Sequence, residues 1–117
     1  MKPTPITITA KLAAPASEFS EPFIVGMANR MAVSFHKYGA VAAAYPLRVD
    51  AVACLKQRLA TYEETGNTEF LMDAANFAMI EFMHPAHPDA VFVATDSDAS
   101  PGRVWLDGSV SATRNTL

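Results

Sequence analysis

Apolar and polar positions alternate with a period of two near the start of the chain, where Ile6, Ile8, Ala10 and Leu12 stand against Thr7, Thr9 and Lys11. β-Branched residues in that pattern predict a strand. A small-residue loop containing Pro15 interrupts it, and the period then changes to that of a helix. Ser20-Glu21-Pro22 supplies a cap, an acid in the first turn and an early proline that needs no backbone partner. Phe23, Ile24, Met27, Ala28, Met31, Phe35 and Tyr38 then share a side of about 140° on a helical projection. Asn29, Arg30, His36 and Lys37 occupy the other side. A first amphipathic helix is predicted from Glu21 to Tyr38, stopped by Gly39 in the left-handed conformation.

Residues 40–45 read either as a helical extension or as a tight connector. Pro46 opens a second predicted helix, Leu47 to Glu64, with Ala51, Val52, Leu55, Leu59 and Tyr62 as its apolar stripe. Gly66 ends it, and Asn67 or Thr68 caps a third helix that runs to Met83 or His84 and is closed by Pro85 and Pro88. The short Thr65-Gly66-Asn67 connection requires the second and third helices to lie antiparallel and adjacent. Val91 to Ala94 suggests a short strand able to pair with the first. From Gly108 onward the chain is rich in Ser, Thr and Asn and is expected to fray. The expected fold is mainly α: an antiparallel three-helix core with a short terminal β or extended element. It forms one domain, with an arm at 1–19, the helical core at 20–84 and an extended segment at 85–117.

The third helix carries the most chemistry. Glu69, Asp73, Asn76 and His84 fall in a sector of roughly 80°, while Leu71, Met72, Ala75, Ala78, Met79 and Phe82 cover most of the opposite side. Glu69 and Asp73, four residues apart, are neighbours on one face. Close carboxylates raise each other's pKa unless a cation intervenes, and Mg²⁺ takes carboxylate oxygens plus water. The same line also reads as a solvated edge, with Glu69 favoured at the helix N-terminus by the dipole. Ile80, in the middle of the sector, argues against an edge that faces only solvent. Glu63 and Glu64 end the second helix, where acids are disfavoured, which suggests a compensating Lys56 or Arg58.

Half of the residues are hydrophobic and 18% are charged, which excludes disorder of the whole chain. A net charge of −3 with singly scattered Lys and Arg gives no footprint for nucleic acid. Neither a signal-type apolar run nor a stretch of 18 apolar residues is present, so no membrane partner and a cytoplasmic location are expected. Cys54, the one cysteine, excludes an internal disulfide and a thiolate zinc site. His84 and His87 have HxxH spacing but lack further ligands. Residues 96–107 resemble a calcium loop only in their acids, because Pro101 stands where the sharp turn needs glycine. Phosphate contact by the loop before Gly102-Arg103 is a further possibility, as is contact by Lys37.

The stretch from Glu64 to Pro88, with Ala94 to Asp98 and Ser100 to Arg103, resembles small proteins of actinobacterial phages and prophages. That likeness spans about half the chain and implies a host-cytoplasmic phage protein without a particular chemistry. The helix order, the Lys37-Tyr38-Gly39 end and the Glu69-Phe-Leu-Met-Asp73 stretch also resemble the MazG-like, all-α nucleotide pyrophosphohydrolases. In that family acids from two antiparallel helices hold Mg²⁺ around a nucleoside triphosphate. Asp73 falls where the family's third-helix Asp would lie, but Phe70 replaces the usual Glu, so Glu69 serves only by a one-residue shift. Cys54 to Arg58 offers no ExxE, leaving Glu63 and Glu64.

Two expectations follow. One is a Mg²⁺-dependent nucleoside triphosphate pyrophosphohydrolase or nucleotide binder, with Glu69 and Asp73 catalytic, Glu64, Glu69 and Asp73 on the metal, and Lys37, Asn76 and His84 on substrate. The other is a non-enzymatic phage accessory protein that binds a host protein or a small nucleotide signal. The surplus of Phe and Met suggests a homo-oligomer in either case.

Overall fold

The computed structural model describes residues 4–8, 13–95 and 101–111. The chain divides into two compact units, Met1–Ala86 and His87–Leu117. After a 3-10 turn at Ala16–Glu18, the first unit contains α1 (Glu21–Tyr38), α2 (Val41–Ala44), α3 (Ala51–Thr65) and α4 (Glu69–Met83). Among the described residues no helix is long and apolar enough to cross a membrane.

Local chemistry explains these bounds. Ser20 accepts a hydrogen bond from the Phe23 N–H at 3.2 Å, and Pro22 lies in the first turn of α1. Gly39 ends α1 at φ 91° and ψ −171°, a positive-φ conformation suited to glycine but extended in ψ rather than left-handed helical. α3 starts later than the sequence predicts. Asp50 accepts from the Ala53 N–H at 2.9 Å and so fixes the start at Ala51. The N–H groups of Arg48 and Val49 both turn back to the Ala44 carbonyl, which continues the short α2 instead of opening a longer α3. Gly66, at φ 70°, provides the left-handed stop of α3. Asn67 Oδ1 then receives the Glu69 N–H at 3.0 Å.

The expected three-helix core with a β element is corrected on two counts. Among the described residues the fold is all-helical, with four α-helices, because the alanine-rich residues 41–44 form a turn of helix of their own. No strand is present among the described residues. Residues 4–8 and 91–95 carry no regular structure, and the remaining positions of the first predicted strand lie outside the described residues. An alternating pattern specifies two sides of a strand, but it yields a sheet only where a partner backbone takes up its hydrogen bonds.

α3 and α4 form the most extensive packing pair, as the three-residue connection requires, and α1 packs against α4 over a smaller area. α1 meets α4 through Gly26, where a Cβ would stand 2.6 Å from the Met72 side chain. The face of α1 that is not exposed contains Phe23, Gly26, Met27, Arg30, Met31 and Ser34. That face is turned by roughly 65° from the predicted apolar side, and Ile24, Ala28 and Phe35 are left exposed.

The second unit has a tight turn near its end. Val104 and Val110 form an isolated antiparallel bridge, and the Trp105 N–H donates to the Ser109 carbonyl at 2.8 Å. Asp107 Oδ1 accepts from Ser109 Oγ at 2.7 Å and from its N–H at 2.8 Å. The side-chain bond, followed by the backbone bond, holds the Asp107 carboxyl below the usual carboxylate range. Asp107 therefore serves a local turn. Residues 96–100 of the calcium-like stretch lie outside the described residues.

Candidate functional site

The polar line on α4 faces inward. Asn76 and Ile80 are buried, and the Asp73 side chain is only 14% exposed. Ala78 and Phe82, on the opposite side, are exposed. The other residues of that side, Leu71, Met72, Ala75 and Met79, are half-buried.

A carboxylate withdrawn from water needs compensation, and Asp73 receives it from two helices. The Arg30 side chain of α1 grips both oxygens: Nε donates to Oδ1 in a short bond, and Nη2 donates to Oδ2 at 3.2 Å. Arg58 of α3 places its Nε 3.6 Å from Oδ2. Such two-pronged pairing uses the planar guanidinium fork and fixes its orientation. The hydrogen bond to Asp73 raises the Arg30 pKa against the opposing effect of burial. Glu69 is 51% exposed and meets Arg30 Nη1 at 3.0 Å, a screened contact worth about 0.2–1 kcal/mol. Arg58 also lies over the Phe77 ring, 5.1 Å from its centroid.

Asn76 is 5% exposed, and its Nδ2 donates to the Met27 carbonyl at 3.1 Å. With the amide held that way, Oδ1 is enclosed and has no hydrogen-bond partner among the described residues. An unmet buried acceptor costs about 1–3 kcal/mol, so the enclosed Oδ1 subtracts from the stability gained by burying this side chain.

These groups border a cavity of about 580 Å³ within the first unit, a size typical of small-molecule sites. Its walls include Arg30, Lys37, Arg48, Arg58, Asp73 and Asn76. Four of the nine Lys and Arg residues of the chain line it, against one of the twelve Asp and Glu residues. An acidic chain has thus concentrated positive charge around one hollow. The Tyr38 and Tyr45 side chains also line it. Desolvation, reinforced by nearby Cys54, raises the Tyr45 phenol above its ordinary pKa, so it stays a neutral donor at physiological pH.

Of the residues expected to act, the structure gathers Lys37, Asp73 and Asn76 at the cavity, with Glu69 joined to it through Arg30. Glu64 is exposed on the last turn of α3 and makes no ion pair among the described residues. His84 is half-buried at the end of α4, donating its N–H to the Ile80 carbonyl at 2.8 Å, and does not line the cavity. Arg58 pairs with Asp73 instead of Glu63 or Glu64. Sequence reasoning missed Arg30, Arg48 and Arg58 as site residues. The signal available was the pair of acids on a helix too apolar to be solvated, which demands cations from its neighbours.

The donors do not fit Mg²⁺. Both oxygens of Asp73 are occupied by guanidinium groups, Glu69 shares Arg30, and two cations beside one carboxylate repel a dication. Among the described residues no group of three or more His, Cys, Asp or Glu side chains could hold a metal ion. Comparison with family models, with curated proteins and with solved structures finds no match.

Proposed function

We propose that the helical unit is a binding protein for a small phosphorylated ligand of the nucleotide class, held directly by arginine and lysine side chains, and that it works as a homo-oligomer. The observation that carries this reading is the concentration of Arg30, Lys37, Arg48 and Arg58 around one cavity in a chain of net charge −3. Guanidinium groups match phosphate oxygens in geometry and charge. Asp73 holds Arg30 and Arg58 in place before any ligand arrives, which lowers the ordering cost of binding.

The nucleoside half of the ligand is supported by different features. Tyr38 and Tyr45 offer ring surface beside the amide-bearing Asn76. Exposed Lys37 and Arg48 contrast with buried Asn76, and a nucleotide has the same polarity, with solvated phosphates and a base that prefers enclosure. A phage-encoded origin and a role as an accessory protein sensing a nucleotide signal belong to the same proposal.

A thermal-shift panel tests it. Nucleotides and inorganic pyrophosphate are compared with and without Mg²⁺, using wild type and the Arg48→Gln/Arg58→Gln variant. The reading expects stabilisation by nucleotides in the presence of a chelator, weaker stabilisation by pyrophosphate, and loss of both in the variant. Stabilisation that appears only with Mg²⁺ favours the metal-dependent pyrophosphohydrolase reading, in which Glu69 and Asp73 must first leave Arg30. No stabilisation under either condition removes the proposal.

A further inference from the structure

The two arginines beside Asp73 are not held alike. Every nitrogen of the Arg30 guanidinium is committed to a carboxylate: Nε and Nη2 to the two oxygens of Asp73, and Nη1 to Glu69 at 3.0 Å. Arg58 makes no hydrogen bond to Asp73. Its Nε stands 3.6 Å from Oδ2, well outside the spacing of about 2.7–2.9 Å at which charged donors and acceptors bond. Its Nη1 donates to Gln57 Oε1 in a short bond, and Nη2 has no partner among the described residues. We infer that Arg58 is the ligand-contacting arginine of this cluster and Arg30 its anchor: a terminal phosphate dianion draws Arg58 off Asp73, while Arg30 stays on the carboxylate. This exchange deepens the nucleotide reading above and rests on it.

The geometry lets Arg58 leave without stranding a charge. The Asp73 side chain is 14% exposed, and a carboxylate so far withdrawn from water must keep a cation. The two-pronged grip of Arg30 supplies it after Arg58 has gone. Arg58 also keeps a support of its own, because the Phe77 ring lies 5.1 Å from its guanidinium carbon. A cation over a ring face is held by charge rather than by one bond direction, so its nitrogens can turn toward a new acceptor. Arg58 lines the cavity together with Arg48 and Lys37, and neither of these has an acid partner among the described residues. An anion that takes Arg58 therefore enters a hollow whose other cations are not neutralised.

The exchange selects ligands by charge. An incoming group must outcompete a carboxylate of one charge that is already in place. A phosphodiester also carries one charge and gains nothing over Asp73. A terminal phosphate monoester carries about −1.5 to −2 at pH 7 and presents three acceptor oxygens. It can bond the Arg58 fork with two of them and still hold charge for Arg48 or Lys37. The ligand class favoured is therefore a nucleotide with a terminal phosphate, and a cyclic nucleotide bearing the same base is disfavoured.

Isothermal titration of the full chain in a chelating buffer compares adenosine monophosphate with its cyclic diester. Wild type should bind the linear nucleotide roughly tenfold more tightly, a difference of about 1.4 kcal/mol. Arg58→Gln should bring the two affinities together by weakening the linear nucleotide. Asp73→Asn removes the competing charge and should bring them together by strengthening the cyclic one. A second measurement needs no ligand: Arg30→Gln should lower the melting temperature more than Arg58→Gln, because only the first strips Asp73 of its bonded cation. Equal affinity of wild type for both nucleotides overturns the inference and leaves the proposed function standing. Binding of neither nucleotide defeats both. A folded Arg58→Gln that keeps the wild-type ratio, or an Arg58→Gln that melts below Arg30→Gln, also overturns the exchange.

Discussion

The two sides of α4 do not divide by polarity as those of an ordinary amphipathic helix do. Its inner side holds a carboxylate and a carboxamide beside the buried Ala74 and Ile80, while Ala78 and Phe82 are exposed on its outer side. On the inner side Asp73 is met by Arg30 and Arg58 and the Asn76 amide nitrogen by Met27, while Asn76 Oδ1 and Glu81 Oε1 are enclosed without a hydrogen-bond partner among the described residues. The outer side has no such internal partner. Polarity alone therefore does not decide which face of a helix turns inward. Cations on neighbouring helices can draw an acid in among apolar neighbours.

Asp73→Ala should damage this arrangement most, since it strands two guanidinium groups. Breaking a buried pair costs about 3–5 kcal/mol, but both arginines are partly exposed, so screening reduces this to about 2 kcal/mol. A unit of this size then melts roughly 8–16 °C lower. Asp73→Asn keeps an acceptor and should recover part of the loss. If Asp73→Ala melts with the wild type, the inner line is not what orients α4.

Asp50→Ala removes a cap from α3 without touching either face of α4. It should cost about 1 kcal/mol in urea unfolding and leave nucleotide binding unchanged; a loss of binding would show that the cavity depends on the start of α3. Gly26→Ala tests how tightly α1 approaches α4. The gain in helix propensity, about 1 kcal/mol, opposes displacement of Met72, whose flexible end can move. A net change within about 1 kcal/mol is expected, and a large loss would mean that Met72 is immobile there.

The smallest effect is in the titration of Tyr45. Its folded pKa is raised by burial, so its contribution to stability is complete below the unfolded value near 10 and is lost as pH rises through the folded value. Ultraviolet titration should show one of the three tyrosines ionising later than an ordinary phenol, and Tyr45→Phe should remove that late step. A late step that persists in Tyr45→Phe would place the desolvated phenol elsewhere.

Much of the helical architecture is legible in the sequence. The bounds of α1 follow from Ser20, Pro22 and Gly39, and those of α4 from Asn67 and the prolines after His84, because capping and helix-breaking chemistry is local. The start of α3 is less legible, since Pro46 and Asp50 are both acceptable beginnings and only the pull of the Ala44 carbonyl on residues 48 and 49 decides between them. Ile6 and Ile8 alternate correctly, but pairing depends on a partner that alternation does not specify. The cavity is the least legible feature. Arg30 sits among polar neighbours on the α1 projection, and only its reach to Asp73, 43 positions away, reveals that its side of the helix is turned inward.

The central claim is that phosphate groups meet the arginines directly. Isothermal titration of adenosine triphosphate into the chelator-treated protein tests it most directly, comparing wild type with Arg48→Gln/Arg58→Gln. The account predicts saturable binding to the wild type without added metal, an affinity that falls as salt rises, and at least a tenfold weaker affinity in the variant. Equal affinity of the two proteins, or heat that appears only when Mg²⁺ is supplied, would contradict it.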